Sequence, residues 1–338
     1  MTRRINLAVI GTGRMGSVHV RNLARQIPEA NLVAVCDLRI ELAQTLADEL
    51  GIPRVTANYH ELLADPSIEA VLIITSTNTH AQIIQDAAAA GKHIFCEKPL
   101  ALELDAIDLA LAAVKQAGVK LMVGFNRRYD KSFRRVYDIV HSGEIGRPCI
   151  LSITNRDPDF PAIEFLRVSG GMFLDMTIHD FDMARFQVGD VEEVYAAGSA
   201  LLNPALEEFG DIDTNVLTLR FKNGAFGTIN NSRKAVYGYD QRLEVFCSNG
   251  TALADNERET TILQGGPDGF KSARLPFFFI QRYAQCYVDE VREFVECVRE
   301  NKPVPTTGED GRKAVVLGYA AWRSLHENRP VKLSEFGE

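Results

Sequence analysis

What the chain lacks narrows it first. No stretch of its 338 residues approaches 18 uninterrupted apolar positions, so no transmembrane helix is expected. The opening Met1-Thr2-Arg3-Arg4 leads only into the short apolar run 5–10 before a glycine-rich turn. That is no convincing secretory signal, and a cytoplasmic address follows. An excess of positive charge is also missing: 37 Lys and Arg against 45 Asp and Glu leave a formal charge of -8. Such a chain offers no broad attraction to nucleic acid or an anionic membrane, which favours a small-molecule partner. The six cysteines (Cys36, Cys96, Cys149, Cys247, Cys286, Cys297) are scattered, with no C-x-x-C and no compact His/Cys cluster. They read as reduced core or spacer residues, and no metal is expected. Internal repeats and low-complexity tails are absent as well.

What is present is enough apolar material, 46% of residues, for a large core and two domains. Residues 5–10 read as a buried strand, followed by Gly11-Thr12-Gly13-Arg14-Met15-Gly16 and a helical pattern over 17–26. A dinucleotide site needs this order: the first glycine turns the chain, the second admits the pyrophosphate, and the third lets helix and strand pack closely. The N–H groups opening that helix then face the phosphates. A second strand, 31–36, ends at Asp37, 21 residues after Gly16. There a carboxylate accepts hydrogen bonds from the adenosine ribose and disfavours a 2′-phosphate, pointing to NAD over NADP. Arg39 pulls the other way, and Asp37 alone could be a strand-end or N-cap carboxylate.

Strand 68–75 exits into Ser76-Thr77-Asn78-Thr79-His80. Small polar groups at a strand's carboxyl end suit the ligand crevice of an open parallel sheet, so Ser76, Asn78 and His80 are cofactor candidates. His80 equally fits the first turn of the next helix. Helix 81–90, strand 94–96, helix 104–116 and strand 119–125 complete an alternating unit, which exits through Asn126-Arg127-Arg128-Tyr129. Strand 94–96 delivers Glu97-Lys98-Pro99, read either as a solvated ion pair at a strand exit or as the seat of an active-site lysine.

Beyond residue 130 the grammar changes to closely spaced strands (149–155, 191–201, 214–221, 225–231, 241–247, 251–255) joined by tight turns such as Lys222-Asn223-Gly224. They predict a largely antiparallel sheet, and helices over 283–300 and 308–326 close the chain near the nucleotide half. The fold class is therefore α/β, with a Rossmann dinucleotide-binding domain over 1–125 and an α+β substrate-binding and oligomerisation domain over 126–338. Within the second domain, Gly170 to Arg185 carries Asp175 four positions before His179. If Asp175 begins or precedes a helix, the carboxylate supports the imidazole from one turn away. Oxidation of a secondary alcohol needs a hydride acceptor and a base within about 2.6–3.2 Å of the hydroxyl proton. Nicotinamide and His179 suit those jobs, with Lys98 steadying the developing alkoxide. A structural histidine and a helix-capping Asp175 are the plain alternatives.

Taken together, Gly11 to Gly16, Glu97-Lys98-Pro99, Gly124-Phe125-Asn126-Arg127-Arg128-Tyr129 and Asp175-x-x-x-His179 resemble the glucose-fructose oxidoreductase/inositol dehydrogenase family over essentially the whole chain. The likeness is greatest to its bacterial members that oxidise myo-inositol to scyllo-inosose with NAD as homotetramers. The resemblance implies Lys98, Asp175 and His179 as the catalytic set. The cofactor residues expected are Gly11, Thr12, Gly13, Arg14, Met15, Gly16, Asp37, Arg39, Ser76, Asn78, His80, Glu97, Lys98 and Asn126. A cyclitol presents several hydroxyls and demands matching donors and acceptors. Substrate contacts are sought in Lys98, Arg128, Asn155, Asp157, Asp175, His179, Tyr239 and Tyr283, with Tyr237 a further candidate and Asp157 and Tyr239 fitting the inositol-enzyme pattern best. Phe277-Phe278-Phe279 reads as core or subunit contact. The rivals are a dehydrogenase of another cyclitol or sugar (scyllo-inositol, chiro-inositol, glucose) and a nucleotide-dependent sensor.

Overall fold

The computed structural model describes residues 3–338; Met1 and Thr2, which open the segment weighed above as a leader, lie outside the described residues. Its contacts divide the chain into two compact units, one of residues up to Tyr129 with Gln285–Val315, the other of Asp130–Ala284 with Val316–Glu338. A single cut after residue 125 does not describe this division. The helix Ala284–Arg299 accounts for the difference, because Val288, Val291, Phe294, Val295 and Val298 complete the core of the first unit.

That unit is built on six strands, β1 (Ile5–Ile10), β2 (Ala30–Cys36), β3 (Arg54–Thr56), β4 (Ala70–Ile73), β5 (His93–Glu97) and β6 (Leu121–Gly124). They lie in the order β3-β2-β1-β4-β5-β6 and every pairing is parallel. A parallel sheet is covered on both faces, which is why β1 and β4 are apolar almost without interruption and nearly wholly buried. The order reverses between β1 and β4, and the carboxyl ends flanking such a switch point form the ligand crevice of an open α/β sheet. Three-residue β3 has too few positions to show a period in the sequence. The helix Thr77–Ala89 starts at Thr77 rather than at 81, since its first turn is polar and adds nothing to the apolar pattern.

The second unit carries a seven-stranded sheet of β7 (Pro148–Arg156), β8 (Val191–Ser199), β9 (Thr214–Phe221), β10 (Phe226–Ser232), β11 (Asp240–Cys247), β12 (Gly250–Ala254) and, after a small hairpin of β13 (Leu263–Gly266) and β14 (Gly269–Ser272), β15 (Val331–Lys332). Its order is β12-β11-β7-β10-β9-β8-β15. The expected hairpins β9–β10 and β11–β12 are present and antiparallel, but β7 and β10 pair in parallel, so the sheet is mixed. Alternate residues of β9 and β10 are buried, as a half-covered sheet requires. On the uncovered face Ile150, Val216, Phe226, Phe246 and Leu253 are all at least 45% exposed. Phe246, Ile150 and Phe226 stand opposite one another across three neighbouring strands.

Candidate active site

In the first unit, two of the three loop glycines cannot be replaced. Gly11 sits at φ +97°, and a Cβ there would lie 2.3 Å from the Ile74 carbonyl oxygen; at Gly16 it would lie 2.0 Å from the Gly11 oxygen. Gly13 is different: the nearest atom to a Cβ is the Arg39 guanidinium at 3.9 Å, so its glycine leaves backbone open to a ligand. The helix Arg14–Gln26 that follows has no side-chain cap and no acid in its first turn. Its orphan N–H groups are thus available to an anion. Arg14 is exposed, whereas the Met15 side chain packs against the core.

Asp37 organises this loop. Its carboxylate accepts from the Thr12 N–H (2.7 Å), the Thr12 hydroxyl (3.0 Å) and the Arg39 N–H (2.9 Å), with Arg39 Nε 3.8 Å away. Burial pushes the carboxyl upward, but those hydrogen bonds and the Arg39 charge outweigh it and hold Asp37 below its ordinary range. Beyond the end of β4, Ser76 at the N-cap and Asn78 in the first helical turn are exposed. His80 is not: it is buried, with Nδ1 2.8 Å from the Pro99 carbonyl and Nε2 3.1 Å from that of Thr75. Burial holds its pKa down, and a neutral imidazole has one N–H for these two carbonyls. This histidine ties helix to strand exit, which accounts for its position without a ligand.

Glu97 ends β5, and half-buried Lys98 follows, joined to Pro99 by a cis peptide. The Glu97 carboxylate lies 2.7 Å from Nε2 of fully buried His19, a partner the sequence reading missed although it stands three residues after Gly16. Asn126 is buried and its Nδ2 has no partner among the described residues. An open Gly13, an uncapped helix and an orphaned amide donor together fit a dinucleotide with its phosphates at the loop. Arg128, sought as a substrate contact, is largely committed elsewhere: it donates to the Pro305 carbonyl and pairs with Asp310 at 3.2 Å.

In the second unit, Asp175 closes a five-residue helix, Gly171–Asp175, and His179 lies in the first turn of the next, Ile178–Val188. Asp175 therefore precedes the helix of His179 without beginning or capping it, with a turn at Met176-Thr177 in between. Instead the carboxylate is anchored from just past the end of β10: fully buried Arg233 donates from Nη1 to Asp175 Oδ2 at 3.0 Å. Behind the same helix Asp211 accepts the Met172 and Ile212 N–H groups at 2.8 Å, and burial raises its carboxyl above the ordinary range. Neither Arg233 nor Asp211 carried a sequence signal, because each acts through a partner distant in the chain.

Asn155 requires a correction. Its side chain is wholly buried, donating to Asp180 at 2.7 Å and accepting from Gln241 at 2.6 Å. It belongs to a core network in which Asn231 also donates to Asp180 and Thr177 to Asn231, both at 2.8 Å. Asn155 thus braces the start of the His179 helix rather than offering hydrogen bonds to a ligand. Tyr283 is buried, its hydroxyl donating to Gln241, and stands edge-on to buried Tyr239 at 5.9 Å. Asp157 is half-buried just beyond β7. Exposed Tyr237 bonds to Asp240 and Arg156 at the surface, beside a hollow of about 430 Å³ lined by Asp240, Arg242 and Arg274. Neither Asp175 nor His179 lines that hollow.

Residues 5–125 match the model of an oxidoreductase family with an NAD-binding Rossmann fold, and residues 133–253 match the GFO/IDH/MocA C-terminal domain. Among curated relatives, the myo-inositol 2-dehydrogenase of Thermotoga maritima is 48% identical over 98% of this chain and 99% of its own. The scyllo-inositol 2-dehydrogenase (NAD(+)) of Bacillus subtilis is 37% identical over 98% and 97%. Among solved structures, scyllo-inositol dehydrogenase of Lactobacillus casei with bound NAD(H) and scyllo-inositol superposes with a TM-score of 0.92, at 28% identity over 98% of this chain and 100% of that one.

Proposed function

The chain belongs to the GFO/IDH/MocA oxidoreductase family and carries its NAD-binding Rossmann fold, and on that premise we propose that it oxidises myo-inositol to scyllo-inosose as an NAD-dependent inositol 2-dehydrogenase. The observation that carries the reading is Asp175, held by a buried arginine four residues before His179, in a chain whose other unit is built for NAD. The near-full-length similarity to a protein named for myo-inositol supports the substrate.

When bound, NAD supplies the hydride acceptor. His179 takes the hydroxyl proton, a step suited to an imidazole near neutral pH. Asp175 stabilises the imidazolium that forms, and its anchor on Arg233 keeps the carboxylate from turning away. Lys98 hydrogen-bonds the alcohol oxygen and offsets the charge that develops on it. The residues proposed to hold the cofactor are the 11–16 loop, Asp37, Arg39, Ser76, Asn78, Glu97, Lys98 and Asn126. Asp157, Tyr239 and Tyr283 remain the proposed substrate contacts beside the catalytic three.

A homotetramer and a cytoplasmic address complete the proposal. The exposed apolar row on the second unit's sheet supports self-association. Among the described residues no helix is long and apolar enough to cross a membrane. The second reading, scyllo-inositol as substrate, is favoured by the similarity to the Bacillus subtilis enzyme. Initial rates with NAD and NADP against myo-, scyllo- and chiro-inositol and glucose decide between them. Negligible turnover of myo-inositol beside strong activity on another would overturn the substrate. For His179→Ala the expected loss is on the order of 10²–10⁴ in kcat with NAD binding nearly intact. Turnover near wild type at saturating substrate would reject His179 as the proton acceptor.

A further inference from the structure

The helix Ala284–Arg299 buries an apolar face in the first unit, with one exception. Glu290 stands in that face with no exposure, and neither carboxylate oxygen has a hydrogen-bond partner among the described residues. It faces His19 and Glu97, and the three side chains bring one nitrogen or oxygen each within 4.8 Å of one another. His19 is fixed by edge-on contacts to Phe95 and Tyr287, both at 5.7 Å, and by the 2.7 Å contact of its Nε2 to Glu97. The next polar groups are the buried Tyr129 hydroxyl, with Arg128 and Glu293 acting on that tyrosine, and the buried Thr306 hydroxyl. Among the described residues no lysine or arginine hydrogen-bonds Glu290.

Two ionised carboxylates this close, one of them wholly out of water, repel each other and lose hydration worth several kcal/mol per ion. A proton or a bound cation resolves the conflict. A proton needs no more room than the cluster has, and Glu97 offers it an oxygen within 4.8 Å of Glu290.

We propose that Glu290 is held as a neutral acid that gives its proton in a hydrogen bond to Glu97, so that Glu290 and His19 clamp the Glu97 carboxylate and act as positioning residues for Lys98. The positioning part rests on the reading of Lys98 as catalytic. Burial, and then the Glu97 charge, push the Glu290 carboxyl well above the ordinary carboxylate range. The sign follows: the folded state binds a proton that the unfolded state releases above its ordinary pKa of 4.5. Glu290 therefore costs stability increasingly as pH rises above that value. Glutamine, the shape of the neutral acid, escapes the cost.

The test uses the full-length enzyme. Infrared spectra at neutral pH are expected to show a protonated-carboxyl stretch that disappears in Glu290→Gln, and the same spectrum in both proteins would overturn the assignment. Melting temperatures from about pH 5 to about pH 9 should fall for wild type relative to Glu290→Gln as pH rises; parallel curves count against the shared proton. Titration of chelator-treated enzyme with Mg²⁺, Mn²⁺ or Zn²⁺ is expected to show no stoichiometric binding that Glu290→Gln abolishes, and such binding would replace the proton with a cation. For positioning, Glu290→Gln should keep wild-type kcat while Glu290→Leu loses roughly tenfold with little change in KM for NAD. Equal kcat in the Gln and Leu variants overturns that part. Should Lys98→Ala retain full turnover, the catalytic reading fails by itself, while the spectra and pH curves still decide the proton.

Discussion

Replacing Asp37 by alanine separates two jobs that one carboxylate performs. A carboxylate offers about four acceptor sites, and the Thr12 N–H, the Thr12 hydroxyl and the Arg39 N–H already take three. One site is left for a ribose hydroxyl, so the loss is a single charge-assisted hydrogen bond of about 1.5–3 kcal/mol, or roughly 10- to 150-fold in kcat/KM for NAD. NADP moves the other way. The repelling charge is gone and exposed Arg39, 3.8 Å from the carboxylate in the wild type, is released toward a 2′-phosphate, worth roughly fivefold at a surface site. The NAD/NADP ratio of catalytic efficiencies should therefore fall by about 50- to 10³-fold. Steady-state rates with both cofactors at saturating inositol measure it, and an unchanged ratio refutes the ribose role. The structural job shows in the melt: Thr12 is only 6% exposed, and stranding its donors costs about 1–3 kcal/mol, a drop of about 2–12 °C. Asp37→Asn keeps an acceptor for Thr12 and should recover most of the melting temperature without restoring the full preference for NAD.

The remaining predictions concern the second unit. Buried Asp130 caps the helix Lys131–Ser142 through the Ser132 and Phe133 N–H groups at 3.0 Å and pairs with buried Arg282. Asp130→Ala leaves that guanidinium with Glu257 alone at 3.3 Å, and urea unfolding should show a loss of about 3–5 kcal/mol; a loss below about 1 kcal/mol would mean that Glu257 suffices. Charging the open sheet face with Phe226→Lys and Phe246→Lys together should lower the mass seen by light scattering while the far-ultraviolet circular dichroism is kept. An unaltered mass would remove this face from the proposed assembly.

The nucleotide half was legible because its information is local. Strand, glycine turn and helix follow one another within Ile5 to Gln26, and Gly11 and Gly16 each answer to a backbone carbonyl close by while Gly13 leaves the backbone open. Apolar runs without polar interruption announce strands covered on both faces, so the alternation of β and α over the first unit could be read directly. Boundaries slipped where the chain is polar, as at Thr77, where a first helical turn carries no apolar residue to extend the pattern. The second unit gave up its hairpins, whose turns are encoded in three or four residues, but not the parallel β7–β10 pairing, which joins Asn155 to Asn231 across 76 positions.

The same distinction explains which site candidates the sequence offered. Lys98, Asp175 and His179 stand in short, recognisable strings, whereas the groups that hold their neighbourhoods in place are remote in sequence: Arg233 reaches Asp175 from 58 residues away, and Glu290 comes to Glu97 from the far end of the chain. Such anchors share no periodicity with what they anchor, and an arginine after a strand or a glutamate on an amphipathic helix reads as a solvated surface residue. Only their burial distinguishes them. Arg233 and Glu290 are wholly inaccessible, and a charge-bearing group survives there only with a partner or a proton. The strings thus mark the groups proposed for the chemistry, and the buried Arg233 and Glu290 mark what is proposed to hold their surroundings.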